Sequence, residues 1–374
     1  MLDYEYLLHL VSCAVNDLQP KEKPDGVSFE NVFTLGKAHE VANIAYLSVE
    51  RLKAKPEKEL YEEWKIYYYL AVQRDMRQRL AYEEITEALH KNRIRTLEAQ
   101  GTVTKTLYPS SELRMMSDID LIIDFENLEA AKGIMQSLGY STSQKQEGEF
   151  DAVLDDGFLV EFHTEFFAEY MFNRKERYYE AINTPFSHAV EESPMRYVLN
   201  DDYYFLFTVI HTIVHFETAG CGIRRILDLF YLKKAYDGRI NLRLVDEIID
   251  KNELRSAYDK LFALEAKWFE NVPSPIDLSE TEADIINSGN HGVSEIFIRN
   301  NVRKDEREGV KFARLKQVYG FVFPPKEFIY LNYPECRERG YSTLRCRLYR
   351  VYKTLKRFSF SHALGVIKTM LKSK

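Results

Sequence analysis

Leu113-Arg114-Met115-Met116-Ser117-Asp118-Ile119-Asp120-Leu121-Ile122-Ile123-Asp124 places two carboxylates two residues apart at the head of an apolar, β-branched run. Such a run reads as a strand, and the side chains of a strand alternate between its two faces. Asp118 and Asp120 therefore share one face, while Ile119, Leu121 and Ile123 share the other and are candidate core. Two acids on one face repel each other and lose hydration unless a cation joins them. A hard cation such as Mg²⁺ suits them, because it binds through one or two carboxylates together with substrate phosphates. Mn²⁺ would satisfy the same oxygens. Taken alone, an Asp-x-Asp pair reads more readily as a solvated strand edge with acids at its start.

A second segment weighs against the solvated edge. Gly157-Phe158-Leu159-Val160-Glu161-Phe162-His163-Thr164-Glu165-Phe166-Phe167 follows an Asp155-Asp156-Gly157 turn and also reads as a strand. Glu161 and His163 share a face by the same alternation. A carboxylate on a neighbouring strand would complete a cage with Asp118 and Asp120. Three acids can hold two divalent ions roughly 4 Å apart, which clamp the attacking and leaving oxygens of an in-line phosphoryl displacement. His163 would orient a ligand, bind a substrate hydroxyl, or make a structural hydrogen bond.

Around these strands the texture of the chain is legible. Residues 1 to 55 have helical periodicity, broken by the loop Pro20-Lys21-Glu22-Lys23-Pro24-Asp25-Gly26. A long amphipathic segment runs from Pro56 to Asn92. Ile94 to Leu97 reads as the first core strand, Gly101 to Leu107 as a short helix, and Asn127 to Gly139 as a helix closed by its glycine. Two or three strands follow between Tyr140 and Phe166, and helices dominate from Asn200 onward. The fold class is α+β: a small mixed sheet in residues 93–192, between a helical N-terminal region (1–92) and a largely helical C-terminal region with a basic tail (193–374). The second boundary is drawn at Ser193-Pro194.

The 45% hydrophobic fraction supports a real core, and the net charge of −7 gives no global attraction to nucleic acid. Cys13, Cys221, Cys336 and Cys346 are scattered, which argues against a zinc or disulfide framework and fits a reducing cytoplasm. The N-terminus lacks the basic region of a signal peptide, and the longest apolar run, Tyr203 to Phe216, is too short to span a bilayer. Between Arg337 and Lys374 there are eleven Lys or Arg residues against Glu338 alone. Leu344, Leu348, Val351, Tyr352 and Leu355 form an apolar stripe at helical spacing there. Such a helix packs its stripe on the acidic body, binds RNA or phosphate as an arm, or lies on an anionic membrane surface.

The residues from Leu97 to His163 resemble the catalytic core of the nucleotidyltransferase superfamily typified by DNA polymerase β. More closely, the chain resembles a bacterial family of uncharacterised nucleotidyltransferases. The resemblance rests on Gly101, on Leu107-Tyr108-Pro109, on Arg114 through Leu121, and on Glu161-Phe162-His163. It continues through His211 and His215, through Arg224, Arg225 and Asp228, and through Phe323-Pro324-Pro325 to the basic tail. The family commonly carries lysine before the core glycine, where this chain has Gln100, and the superfamily's Gly-Ser pair is Gly101-Thr102 here.

The resemblance implies a nucleotidyltransferase core and an enzyme that moves a nucleoside monophosphate from a nucleoside triphosphate to an acceptor, releasing pyrophosphate. Asp118, Asp120 and Glu161 would be catalytic and bind Mg²⁺ or Mn²⁺. Gly101, Thr102 and Arg114 would hold the nucleotide, and His163, His211, His215 and Arg224 are cleft candidates. The acceptor is left open among a small molecule, a protein and RNA. Gln100 and the Gly-Thr pair favour a different reading, a degenerate nucleotide-binding or regulatory module. A toxin-type enzyme acting on tRNA or protein is a further alternative.

The remaining spacings have structural readings of their own. His211 and His215 lie four apart on one helix face, but Thr212 replaces the glutamate of the His-Glu-x-x-His zinc motif. Arg224 or Arg225 would bind phosphate or pair with Asp228. Asp124, at the far strand end, is expected to be exposed.

Overall fold

The computed structural model describes residues 1–98, 100–146, 148–166, 182, 185–218 and 220–290; from 291 onward it describes 296, 299–300, 302, 311–312, 314–316, 319, 323, 329–330, 333, 335–336 and 339–357. The chain divides into two compact units: residues 1–214 with 221–290, and residues 215–220 with 291–374. The sequence boundaries at 92/93 and 192/193 both fall inside the first unit.

The first unit opens with helices α1 (Asp3–Val15), α2 (Phe29–Ala38) and α3 (Ala42–Val49), followed by the long α4 (Lys58–Lys91). Ser28 starts α2 by accepting the Asn31 N–H at 3.3 Å, the usual work of a serine N-cap. In α4, Trp64, Ala71, Gln78 and Ile85 recur every seventh residue and are buried, so one stripe faces inward along its whole length. Its first half packs on the N-terminal helices: Trp64 lies 4.9 Å from the Phe33 ring and donates to Ala42 O at 2.7 Å. Its second half, through Ile85 and Leu89, packs under the sheet.

The sheet has seven strands: β1 (Thr96–Glu98), β2 (Asp118–Ile122), β3 (Ser141–Gln146), β4 (Glu149–Val153), β5 (Leu159–His163), β6 (Ala189–Ser193) and β7 (Arg196–Leu199). Their order is β3-β4-β5-β2-β1-β7-β6. β2 runs parallel to β5, β1 runs parallel to β7, and the other neighbours are antiparallel. The sequence reading missed β6 and β7. Pro194 lies in the turn between them, and Met195 O accepts the Thr96 N–H at 2.9 Å, which ties the hairpin to β1.

Helix α5 (Gln100–Thr106) follows β1, and α6 (Leu128–Ser137) follows β2. Gly139, at φ +91°, turns the chain out of α6 as expected of a terminating glycine, whereas the Asn127 side chain makes no cap hydrogen bond. One sheet face is apolar: Ile119, Leu121, Phe150, Ala152, Val160 and Phe162 pack with Leu128, Ala131 and Met135 of α6 and with Ile85 and Leu89 of α4. Phe150 and Phe162 stack at 4.4 Å, and burying each contributes roughly 1.5–3 kcal/mol. The other face carries the acids.

Helices α7 (Asp201–Thr218), α8 (Ile223–Tyr236), α9 (Leu242–Lys251), α10 (Arg255–Glu265) and α11 (Ser279–Ser288) follow. Asn200 caps α7 by accepting the Tyr203 N–H at 3.1 Å. No described helix is long and apolar enough to cross a membrane.

The described part of the second unit includes helix α12 (Thr343–Arg357). Its inner face is Cys346 and Tyr349, packed with Ile329, Cys336, Tyr333 and Tyr341. Leu344, Leu348 and Tyr352 of the sequence stripe are exposed instead. Arg337, Lys368, Lys372 and Lys374 of the basic tail, and Pro324 and Pro325, lie outside the described residues.

Candidate functional site

Strand register assembles the site. In the parallel β2–β5 pair Asp120 stands opposite Glu161, and in the antiparallel β4–β5 pair Asp151 stands opposite Glu161 and Glu149 opposite His163. Alternation turns all of these, with Asp118, away from the apolar core. A row of carboxylates, Asp120, Glu161 and Asp151, thus crosses three adjacent strands.

Two cations are set among them. His163 Nε2 lies 3.2 Å from Asp120 Oδ1 and 3.6 Å from Glu161 Oε2, and its Nδ1 lies 3.3 Å from Glu149 Oε1. Lys145 Nζ, from β3, lies 2.8 Å from Glu161 Oε1 and 3.7 Å from Asp151 Oδ1. Asp151 Oδ1 is buried and has no hydrogen-bond partner. The Asp120 side chain is 32% exposed, so the row is open to a ligand from solvent.

The acids strain against one another. Burial, then the charges of Asp120 and Glu161, push the Asp118 carboxyl up to about 6, against a hydrogen bond from Ser117 and the charge of Arg224. Burial also pushes Asp151 up. Glu161 is pushed up by burial too, but hydrogen bonds from His163 and Lys145 hold it at about 2. Burial disfavours the charged His163 ring, yet Asp120, Glu149 and Glu161 together raise it well above the ordinary imidazole range. A site with this much crowded negative charge is stabilised by an added cation.

Ligand atoms of Asp120, Glu161 and His163 all lie within 4.8 Å of one another. Two carboxylates and an imidazole suit a divalent first-row ion. Asp118, expected as part of the cage, stands two residues upstream on the same face and outside this tightest group.

The other candidates lie elsewhere. Arg114, read as a phosphate ligand, is buried, and its guanidinium grips Asp228 through two bonds of 2.8 and 2.9 Å. Tyr108 donates to the same carboxylate at 2.7 Å. The partner expected for Arg224 or Arg225 thus belongs to Arg114. Arg224 pairs with Glu40 at 2.5 Å and also donates to Met115 O, which sets its charge near Asp118. Burial, and then the charge of Arg224, bring Arg225 down to about 10.

Burial, then the charges of Arg225, Arg114 and Arg224, hold the His211 ring well below its ordinary range, so it is neutral. His215, one turn on, is half-buried and belongs to the second unit. Gly101 is buried beneath Met116: a Cβ there would come within 2.7 Å of Met116 Cε, so the glycine admits that side chain. Thr102 is half-buried beside it. Asp124 is not free in solvent but makes a two-pronged ion pair with Arg95, at 2.7 and 2.8 Å.

Lys145, Glu149 and Asp151 were not singled out from the sequence. The sign was there: Glu149-Phe150-Asp151 repeats the acid–apolar–acid alternation of Asp118-Ile119-Asp120. It was masked by its polar surroundings, Gln144 to Gly148.

Comparison with known proteins bears on this geometry. No curated protein matches the chain. The solution structure of the antibiotic-resistance factor ANT(2'')-Ia matches at 15% identity over 49% of this chain and 95% of that one, with a TM-score of 0.36. A family model described as uncharacterised nucleotidyltransferase matches residues 25–270, which hold the whole acid row and the Arg114–Asp228 pair. The chain belongs to that family, the uncharacterised nucleotidyltransferases.

Proposed function

We propose that the protein transfers a nucleoside monophosphate from a nucleoside triphosphate to an acceptor hydroxyl or similar group, in a reaction that depends on Mg²⁺ or Mn²⁺. The observation that carries this reading is the register of β2 against β5, which brings Asp120 opposite Glu161 with Asp118 on the same face. Asp118, Asp120 and Glu161 would hold the metal, with His163 beside them. A bound ion would supply charge neutralisation for the phosphates and for the leaving pyrophosphate.

The chain's own part is positioning. Gly101 and Thr102, at the start of α5, are the candidates for the phosphates, and Glu161 is the candidate to take the acceptor's proton. Arg224, whose charge already acts on Asp118, is the cation on that side of the acids. The new bond joins the acceptor oxygen to the α-phosphorus, and the bond from that phosphorus to the bridging oxygen breaks, so that pyrophosphate leaves. The free, buried cysteines fit a cytoplasmic protein.

The test uses the full chain, each α-phosphate-labelled nucleoside triphosphate, Mg²⁺ or Mn²⁺, and a cell extract as the source of acceptor. Wild type should label a macromolecule or form a new small product, and Asp120→Asn should lose at least about a thousandfold of that activity. An Asp120→Asn variant as active as wild type would remove the metal assignment.

One observation favours a second reading, nucleotide binding without transfer: Arg114 is engaged with Asp228 rather than open to a triphosphate. Nucleotide binding with no label transferred from any triphosphate would select it.

A further inference from the structure

We infer that His163 is itself a ligand of the divalent cation, that Glu149 fixes its ring, and that the site therefore takes Mn²⁺ in preference to Mg²⁺; this rests on the metal-dependent reading above. Antiparallel pairing sets Glu149 directly opposite His163. The imidazole is strung between them and the acid row, with Nδ1 3.3 Å from Glu149 on one side and Nε2 3.2 Å from Asp120 and 3.6 Å from Glu161 on the other. Metal binding would release the proton that the charged ring carries at Nε2; with the Nδ1 proton still donated to Glu149, Nε2 then presents its lone pair where Asp120 and Glu161 converge.

Glu149 is 5% exposed and lies behind the ring, so it backs the imidazole without itself reaching the ligand position. A carboxylate that holds the far nitrogen of a metal-bound histidine fixes both the tautomer and the orientation of the ring. Lys145 is set on Glu161 and Asp151, at 2.8 and 3.7 Å.

The nitrogen donor decides the metal. Mg²⁺ is a hard ion that demands near-octahedral oxygen ligands and keeps several waters. Mn²⁺ accepts the same oxygens and, as the first member of the first-row affinity series, tolerates a nitrogen donor that Mg²⁺ takes poorly. A site of oxygens alone would discriminate less between the two. Glu149 is a positioning residue in this scheme.

The experiment titrates Mn²⁺ alone, and separately Mg²⁺ alone, into the full chain, and records the pulsed electron paramagnetic resonance of bound Mn²⁺. Wild type should bind Mn²⁺ more tightly than Mg²⁺ and show nitrogen hyperfine coupling from a directly bound imidazole. His163→Gln should lose that coupling and weaken Mn²⁺ binding about tenfold to a hundredfold, with a much smaller effect on Mg²⁺. Glu149→Ala should weaken Mn²⁺ about tenfold, and Glu149→Gln, whose amide oxygen still accepts from Nδ1, should recover part of the loss.

Mn²⁺ bound to wild type without nitrogen coupling overturns the inference, and needs no variant to fold. If Asp120→Asn abolishes binding in that case, the metal-dependent reading survives and His163 alone is removed from it. If wild type binds neither ion, or if Asp120→Asn binds Mn²⁺ as wild type does, both readings fall.

Discussion

Asp118 is the residue at which the proposed chemistry and stability pull apart. In the metal-free protein its carboxyl is pushed from 3.8 to about 6, by burial first and then by Asp120 and Glu161. The folded state therefore holds this proton more tightly than the unfolded chain does. That contribution to stability is complete below pH 3.8 and is lost as pH rises through about 6. Asp118→Asn removes the ionisation. In the presence of a chelator, the variant should gain stability over wild type as pH rises between these two values, then hold a constant advantage of roughly 1–3 kcal/mol. Denaturant unfolding at several pH values measures it, and a difference that does not change with pH would show that the acids do not oppose one another. The Asp-x-Asp alternation was legible because it needs only the period of a strand. The tightest ligand group was not, because His163 joins it through register: parallel pairing puts Asp120 beside Glu161, and no local spacing encodes which strands become neighbours.

At the scale of elements, the buried pair of Arg114 and Asp228 fastens the segment before β2 to α8. Burial works against the charged Arg114, and Asp228 outweighs it, raising its affinity for the proton. Asp228 is fully buried and accepts from both Arg114 and Tyr108. Asp228→Ala would strand a buried guanidinium, and should cost about 3–5 kcal/mol in urea unfolding. A loss below about 1 kcal/mol would mean that water reaches Arg114 and that the pair is not what holds the two elements. The helices here were readable in kind, and α8 lies in the stretch from Asn200 onward that the sequence marks as helical. The β6–β7 hairpin was not readable. Its strands are short, Glu191 and Glu192 are exposed on β6, and its place beside β1 depends on a long-range parallel pairing. Helix α4 shows a related limit: Trp64 and Ala71 face inward as apolar periodicity suggests, but Leu70 is exposed while Asp75 and Gln78 are buried, and nothing local reveals that the helix serves the N-terminal helices at one end and the sheet at the other.

At the scale of the molecule, the stretch shared with the family ends at residue 270, but the first unit continues to residue 290. The added segment closes the unit over α2 and α8. The His39 ring accepts the Ile223 N–H at Nδ1, at 3.2 Å, and reaches Ile286 O through Nε2, at 3.1 Å. Burial brings that ring down to about 4, so it is neutral near pH 7 and has one tautomer to match its two partners. Ser288 donates to Cys221 O at 2.8 Å, and the Asn290 N–H donates to Ala38 O at 2.8 Å. Asn290 Nδ2 also reaches Glu40, the partner of Arg224, at 2.9 Å. A chain ending at Asn290 keeps all of these, together with the whole of α7 and the acid row. It should fold and bind Mn²⁺ as the full chain does. A chain ending at residue 270 leaves the His39, Cys221 and Ala38 groups without these partners, and each buried polar group so exposed costs about 1–3 kcal/mol. It should therefore melt well below the longer piece, by several degrees at least. Equal melting temperatures for the two would show that α11 and the residues after it do not close the unit, and that the stretch shared with the family is sufficient to fold.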